Sequence, residues 1–245
     1  MSATQPPGPP RRLGATARPR SRTPIVIVLA IVAIFVVWGL ATIATSSESI
    51  TSQSVSLEGA EAAAELYRGL PQRGDELGDL EAGVQIDVFN DVQCRPCASW
   101  HLRTVPSLVR TRVRNGDVRL VFQHFVTSER ETTVGAIAAI AAGRLDAEWQ
   151  FSDLLLRNLA QVPPSGIDES FLRKVAVGAG LSGDRWAEQR DDPTVLPRLE
   201  QAERLAAAES LPAQPAVIVT GPSGARTLER SPDLRSIERA IDDVG

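Results

Sequence analysis

Lysine is nearly absent from this 245-residue chain: Lys174 stands alone, and every other basic side chain is arginine. Basic residues are also unevenly placed. Residues 1–24 carry five arginines (Arg11, Arg12, Arg18, Arg20 and Arg22) and no acid. The remainder holds 21 basic against 30 acidic side chains, a balance of −9. An acidic body offers no electrostatic footprint for phosphate, so nucleic-acid binding is set aside. Cysteine is scarcer still. There are two, Cys94 and Cys97, where a small domain stapled by disulfides would have several, widely spaced. The core must therefore hold itself together, and the two thiols have another purpose. Histidine is limited to His101 and His124. With no second CxxC and no Cys/His pair at ligand spacing, a tetrahedral metal site lacks ligands. A two-sulfur, one-imidazole copper site is the metal reading that stays open.

One segment lacks charge altogether. Residues 25–44 (IVIVLAIVAIFVVWGLATIA) form a run of 20 residues, enough for a helix of about 30 Å, the thickness of a bilayer's hydrocarbon core. A buried soluble helix is seldom apolar on every face. A cleavable signal peptide has a shorter apolar stretch, although Ala41 and Ala44 offer small-residue cleavage positions. The twin arginine Arg11-Arg12 sits in surroundings that fit an export signal poorly. The expectation is a transmembrane signal-anchor at 25–44. Its flanking arginines all precede it, so the positive-inside rule keeps the Pro/Arg-rich tail 1–24 disordered in the cytoplasm and places the body outside. The catalytic domain is thus expected on the extracytoplasmic side of the cell membrane, on a single-pass anchor.

Residues 45–69 read as a Ser/Thr-rich tether with a short helix over 59–68, ended by Gly69 and Pro71. Beyond it, 84–90 (VQIDVFN) alternates as a strand and Cys94 to about Val113 has helical spacing. A second strand spans 118–126, and 130–209 is a helical block broken at Pro163-Pro164, Gly178-Ala179-Gly180 and Pro193. Strands at 216–220 and 226–229 follow, then a closing helix capped by Ser231 with Pro232 in its first turn. The order βα, β, helical block, ββα predicts a mixed α/β layer interrupted midway by helices. The GxGxxG at 178–183 follows a helical pattern instead of a strand. It reads as a helix stop with a new start at Ser182, not as a dinucleotide loop.

A CxxC pair directly after a strand and opening a helix carries definite chemistry. The first sulfur, at Cys94, sits where unsatisfied N–H groups and the helix dipole favour a thiolate. The second, at Cys97, lies one turn further in, within reach of a mixed disulfide on the first. Pro96 suits a first helical turn, and Arg95 adds positive charge beside Cys94, unless it is an ordinary solvated arginine.

With these residues in hand, the chain resembles the DsbA-like disulfide oxidoreductases, in their membrane-anchored bacterial branch. The similarity rests on LPQRGDELGDLEAGVQIDVFNDVQCRPC at 70–97, on the strand with Phe122 and Phe125, on Trp149 in the helical block, and on Ala213-Gln214-Pro215-Ala216 before a strand. It covers residues 70–245. The resemblance implies a thioredoxin fold with an inserted helical domain at 130–209 and a protein thiol–disulfide oxidoreductase. Its catalytic residues would be Cys94 and Cys97, with no cofactor beyond their redox-active disulfide. It also implies a cis bond before Pro215, with Gln214 and Pro215 in the loop that pairs with substrate. A proline opening a strand is tolerated, and X–Pro is the bond able to be cis, though an ordinary turn proline is trans.

The implied partners are exported proteins with cysteines. An oxidase would need a quinone-linked membrane protein to reoxidise it, and a reductase or isomerase a membrane thiol carrier. Three positions depart from the family. Val88 stands six residues before Cys94, where a buried carboxylate is usual, so proton transfer would use Asp91, water or no special group, and Asp91 joins Arg95 and Pro96 as a residue expected to tune the thiolate. Pro96 replaces the His of strongly oxidising members and is similar to thioredoxin. Gln214 replaces a Thr or Val. Oxidase is the expected direction, reductase or isomerase the alternative, and a copper-binding chaperone a more distant one. A thioredoxin-like scaffold with vestigial thiols is the non-enzymatic reading.

Overall fold

The computed structural model describes residues 57–126, 130–162 and 166–245. The tail 1–24, the apolar run 25–44, most of the tether and Pro163-Pro164 lie outside the described residues. Among the described residues, no helix is long and apolar enough to cross a membrane.

The chain enters through α1 (Ala60–Tyr67). Although the sequence groups this helix with the tether, it buries Ala63, Leu66 and Tyr67 in the main core. A small hairpin follows, β1 (Gln72–Arg73) and β2 (Glu76–Leu77), which the sequence pattern does not reveal because each strand has two residues. Next come β3 (Val84–Asn90), α2 (Arg95–Leu108) and β4 (Val118–His124), the strand–helix–strand unit that the periodicity predicts. α2 does not run on to Val113 as one α-helix. It carries Pro106, which has no N–H to donate, and passes into a π-helical turn over Val109–Val113.

The helical block resolves into α3 (Arg130–Gly143), α4 (Glu148–Asn158) with a 3₁₀ turn over Leu159–Gln161, α5 (Glu169–Gly178), α6 (Gly183–Arg190) and α7 (Val195–Ala208). Ser182 does open α6, its hydroxyl accepting from the Arg185 N–H, and Gly180 takes φ +87° in the turn before it. Then β5 (Ala216–Gly221), β6 (Gly224–Leu228) and α8 (Leu234–Val244) close the fold. The α8 cap corrects the sequence expectation. Asp233, not Ser231, is the N-cap and accepts from the Ser236 N–H at 2.7 Å. Ser231 has φ 60° and belongs to the turn before the helix.

The sheet has the order β1-β2-β4-β3-β5-β6, with β3 and β4 parallel and the other pairings antiparallel. Alternation gives its two faces different fates. Ile86 and Val88 of β3, Leu120 and Phe122 of β4, and Val217 and Val219 of β5 join the larger core with α1, α2, α4 and α8. Phe89, Ala216 and Ile218 face the other way, against Ala206 of α7 and Leu211. This is a thioredoxin-like fold with the helical insertion entering after β4 and returning through α7.

The α7 face also holds a polar strip. Arg198 donates to Asp75, to the Phe122 carbonyl at 3.1 Å and to Gln123 Oε1 at 3.1 and 3.2 Å. Gln123 and Gln85 each donate to one oxygen of Asp87 at 2.7 Å. Burial raises the Asp87 pKa against these two amide bonds, and its carboxyl points away from α2.

Candidate active site

β3 ends at Asn90 and α2 begins at Arg95, so four residues make the turn that presents Cys94. Asp91, Gln93 and Cys94 are held there by hydrogen bonds. The Asp91 N–H donates to the Asn90 side-chain oxygen at 3.1 Å, and the Asp91 carboxylate accepts from the Gln93 N–H at 2.8 Å. The Asp91 carbonyl accepts from the Cys94 N–H at 3.2 Å. The Gln93 side chain accepts from the Gly135 N–H at 2.7 Å, which ties the loop to α3. A Cβ on Gly135 would stand 2.7 Å from that same oxygen, so a larger residue there would displace the Gln93 side chain.

Cys94 is the N-cap of α2, with Arg95 and Pro96 as its first two helical residues. Cys94 and Cys97 form a disulfide, Cα atoms 5.1 Å apart. The Cys97 N–H points at Cys94 Sγ, 3.1 Å away. That donor would meet a thiolate on Cys94 once the bond opens, beside the positive end of the helix dipole. The two sulfurs are not equivalent. Cys97 is fully buried while Cys94 is partly exposed, so an incoming sulfur reaches Cys94 first. Arg95 is exposed and extends toward the insertion, its guanidinium 3.5 Å from the Leu159 carbonyl.

The Gln214–Pro215 peptide is cis. β5 starts at the next residue, and Ala216 pairs with Phe89 near the end of β3. The loop therefore lies at the same sheet end as Cys94. Two bonds anchor it there. The Pro215 carbonyl accepts from the Ser231 N–H at 2.9 Å, and the neighbouring Pro232 carbonyl accepts from Trp100 Nε1 of α2 at 2.7 Å.

Beneath α2 lies a buried polar layer that sequence reasoning named only in part. His101, one turn past Cys97, sits 3.2 Å from the Asn90 amide nitrogen through Nδ1, which must then accept. Its Nε2 faces Asp153 of α4 at 3.8 Å. Burial lowers the His101 pKa to about 4, so the ring is neutral near pH 7. His124 stacks obliquely on Phe122, ring centres 4.5 Å apart, and its Nε2 is 3.0 Å from Glu148. Burial again, with Arg198 nearby, lowers it to about 3, while burial raises Glu148 well above the usual carboxylate range. Asp91 is also raised, mainly by burial. Nothing in the sequence announces Glu148 or Asp153, because their partners lie 24 and 52 residues away on other elements. Trp149, singled out from sequence, packs edge-on against Phe122 at 5.3 Å and donates to the Asp75 carbonyl at 2.8 Å. Among the described residues no group of three or more His, Cys, Asp or Glu is disposed to hold a metal ion.

This geometry can be set beside known proteins. The thioredoxin family profile matches residues 73–243. The chain belongs to the thioredoxin family. A curated relative, the probable disulfide bond formation protein D of Bacillus cereus, is 23% identical over 170 residues, covering 68% of this chain and 76% of that one. Among solved structures, oxidised BdbD from Bacillus subtilis superposes with a TM-score of 0.58 at 18% identity, over 71% of this chain and 95% of that one. Wolbachia pipientis alpha-DsbA1 gives the same TM-score at 15% identity, over 69% and 89%. The protein is a DsbA-like thiol–disulfide oxidoreductase that carries its CxxC cysteines as a disulfide.

Proposed function

We propose that the protein is an extracytoplasmic oxidase that donates the Cys94–Cys97 disulfide to exported proteins with cysteines. A substrate thiolate attacks Cys94, the S–S bond opens and Cys97 departs. A second substrate thiolate then attacks the substrate sulfur of the mixed disulfide and releases Cys94. In the reverse direction Cys97 would resolve the mixed disulfide. The observation that carries the oxidase direction is the placement of Cys94 as N-cap with the Cys97 N–H aimed at its sulfur. Those groups stabilise a Cys94 thiolate, hence the reduced form, and a stabilised reduced form makes the disulfide a stronger oxidant. The relative named as a probable disulfide bond formation protein supports the same direction.

Substrate is proposed to lie along the Gln214–Pro215 loop as an added strand, since that loop borders Cys94 at the open end of the sheet. The apolar run 25–44 is proposed as the membrane anchor, with the arginine-rich tail 1–24 in the cytoplasm and 45–59 as the connection to the catalytic domain, whose core α1 joins. In that setting a quinone-linked membrane protein would reoxidise the pair. Pro96 beside Cys97 favours a second reading, a reductase or isomerase supplied by a membrane thiol carrier.

The reduction potential of the Cys94–Cys97 pair, measured on the full-length protein against glutathione buffers, decides between them. DsbA lies near about −120 mV and thioredoxin near about −270 mV. A value above roughly −160 mV establishes the oxidase, and one below roughly −240 mV overturns it in favour of the reductase.

A further inference from the structure

The thiol chemistry leaves a proton to be placed. When the Cys94–Cys97 bond opens, its electron pair goes to Cys97 Sγ, a fully buried sulfur. A thiolate there is costly unless a proton reaches it. Val88, six residues before Cys94, cannot supply one. Asp87 faces the other side of the sheet, bonded to Gln85 and Gln123.

The pair His124–Glu148 is placed for that task. His124 ends β4 in register with Asn90, the last residue of β3, so it shares the sheet end from which the CxxC loop departs. Both residues of the pair are 2% exposed. His124 Nε2 meets Glu148 at 3.0 Å, while Nδ1 is buried with no hydrogen-bond partner among the described residues. Asp91, next after Asn90, is buried and electrostatically coupled to His124. On the far side, Glu148 lines an open cleft of about 570 Å³ together with Asp75, Arg144 and Arg198. The charged groups acting on the pair are Arg198 of α7, Asp75 of the β1–β2 turn and Asp91 of the redox loop.

We propose that Glu148 and His124 form a proton relay that supplies the buried Cys97 sulfur, through Asp91, when the disulfide is opened. This rests on the thiol-exchange reading above. The balance is simple. Substrate thiolate forms a bond to Cys94, the Cys94–Cys97 bond breaks, and Cys97 takes a proton from Asp91. Asp91 is replenished from His124 Nδ1 once the two come into hydrogen-bond contact, and Nε2 takes the proton of Glu148. The negative charge thus moves from Cys97 to Glu148, beside the solvent and arginines of the cleft. Reoxidation runs the same transfers backwards and resets the ring. Glu148 and His124 touch no reacting atom and act as positioning residues for the proton.

The test is an infrared difference spectrum, oxidised minus reduced, on the full-length protein, with the rate of disulfide opening by dithiothreitol followed across pH 5–9. The expected result is loss of a protonated-carboxyl band on reduction, absent in Glu148→Gln. That variant should also open about a hundredfold more slowly at neutral pH, the low end for lost proton-transfer catalysis, with a changed pH profile. If Glu148→Gln does not fold, Glu148→Asp should retain the band at a shifted frequency. A wild-type spectrum with no carboxyl change on reduction overturns the relay. So does a folded Glu148→Gln with the wild-type rate and pH profile. A wild-type disulfide that does not exchange with thiols at any pH would instead defeat the oxidoreductase reading itself.

Discussion

Trp100 of the redox helix donates its indole N–H to the carbonyl of Pro232, 2.7 Å away across 132 residues of sequence. The bond matters because of what adjoins it. Ser231, one residue before Pro232, donates to the Pro215 carbonyl at 2.9 Å, so one turn holds both the helix that bears the cysteines and the loop that faces them. Trp100→Phe keeps most of the buried ring but removes the donor. A buried carbonyl left without its partner costs about 1–3 kcal/mol. Urea unfolding of the oxidised protein should show a loss of that size with an unchanged m-value. Thiol exchange should also slow, since Pro215 is released from its register with α2. Unchanged stability would mean that Pro232 finds another donor.

The unequal exposure of the two sulfurs makes a sharper prediction. Cys94 is reachable and Cys97 is not. With a disulfide-containing substrate, Cys97→Ser should accumulate a covalent mixed disulfide on Cys94, because its thiolate displaces one substrate sulfur and the resolving thiol is gone. Cys94→Ser should trap almost nothing, the remaining thiol being buried. Mass spectrometry after alkylation reads both outcomes. Equal trapping by the two variants would contradict the assigned order of attack.

Much of this site is legible in the sequence, and what is not has a common cause. β3 and β4 are read at or near their observed ends because alternation and β-branched residues depend only on neighbours. The CxxC turn is legible for the same reason. The cis bond at Pro215 needs the family resemblance, since local chemistry alone does not choose the isomer. Ser before Pro suits a helix start, which is why the sequence points to Ser231 as the cap of α8. Its backbone N–H is instead committed to Pro215, and Asp233 takes the cap. The buried acids Glu148 and Asp153 are the least legible. Their meaning comes from His124 and His101 across the seam between sheet and insertion, a contact no local pattern encodes.

His101 predicts how stability depends on pH. Its folded pKa is lowered to about 4, from the ordinary histidine value of 6.5, chiefly by burial. Below pH 6.5 the unfolded chain therefore binds a proton that the folded protein refuses. Stability contributed by this residue is fully present above 6.5, declines as pH falls toward 4, and levels off below it. Asp87 and Asp91, with raised pKa values, contribute in the opposite sense over part of that range, so the total curve alone is not diagnostic. The comparison with His101→Gln, which can still accept from Asn90, isolates the imidazole. The stability advantage of wild type over the variant should shrink on going from about pH 7 to about pH 4, by on the order of 3 kcal/mol. A constant difference across that window would show that His101 is not the titrating group.

Val88 offers a test by restoration. Its side chain is fully buried in the core on the face shared with α2, and it pairs with Phe122 and Val217 across the sheet. Val88→Asp places a carboxyl six residues before Cys94. A neutral buried carboxyl with no built partner costs about 1–3 kcal/mol, so the variant should fold with reduced stability, and burial should raise the pKa of the introduced carboxyl strongly. Such a group is itself a proton donor for Cys97. The rate of disulfide opening should therefore become less sensitive to pH between about 5 and 9 than in wild type. In the double variant with Glu148→Gln, part of the lost rate should return. Denaturant titration measures the first effect, and stopped-flow reduction with dithiothreitol the second. If Val88→Asp folds yet leaves the Glu148→Gln rate where it was, proton supply does not limit the opening of this disulfide.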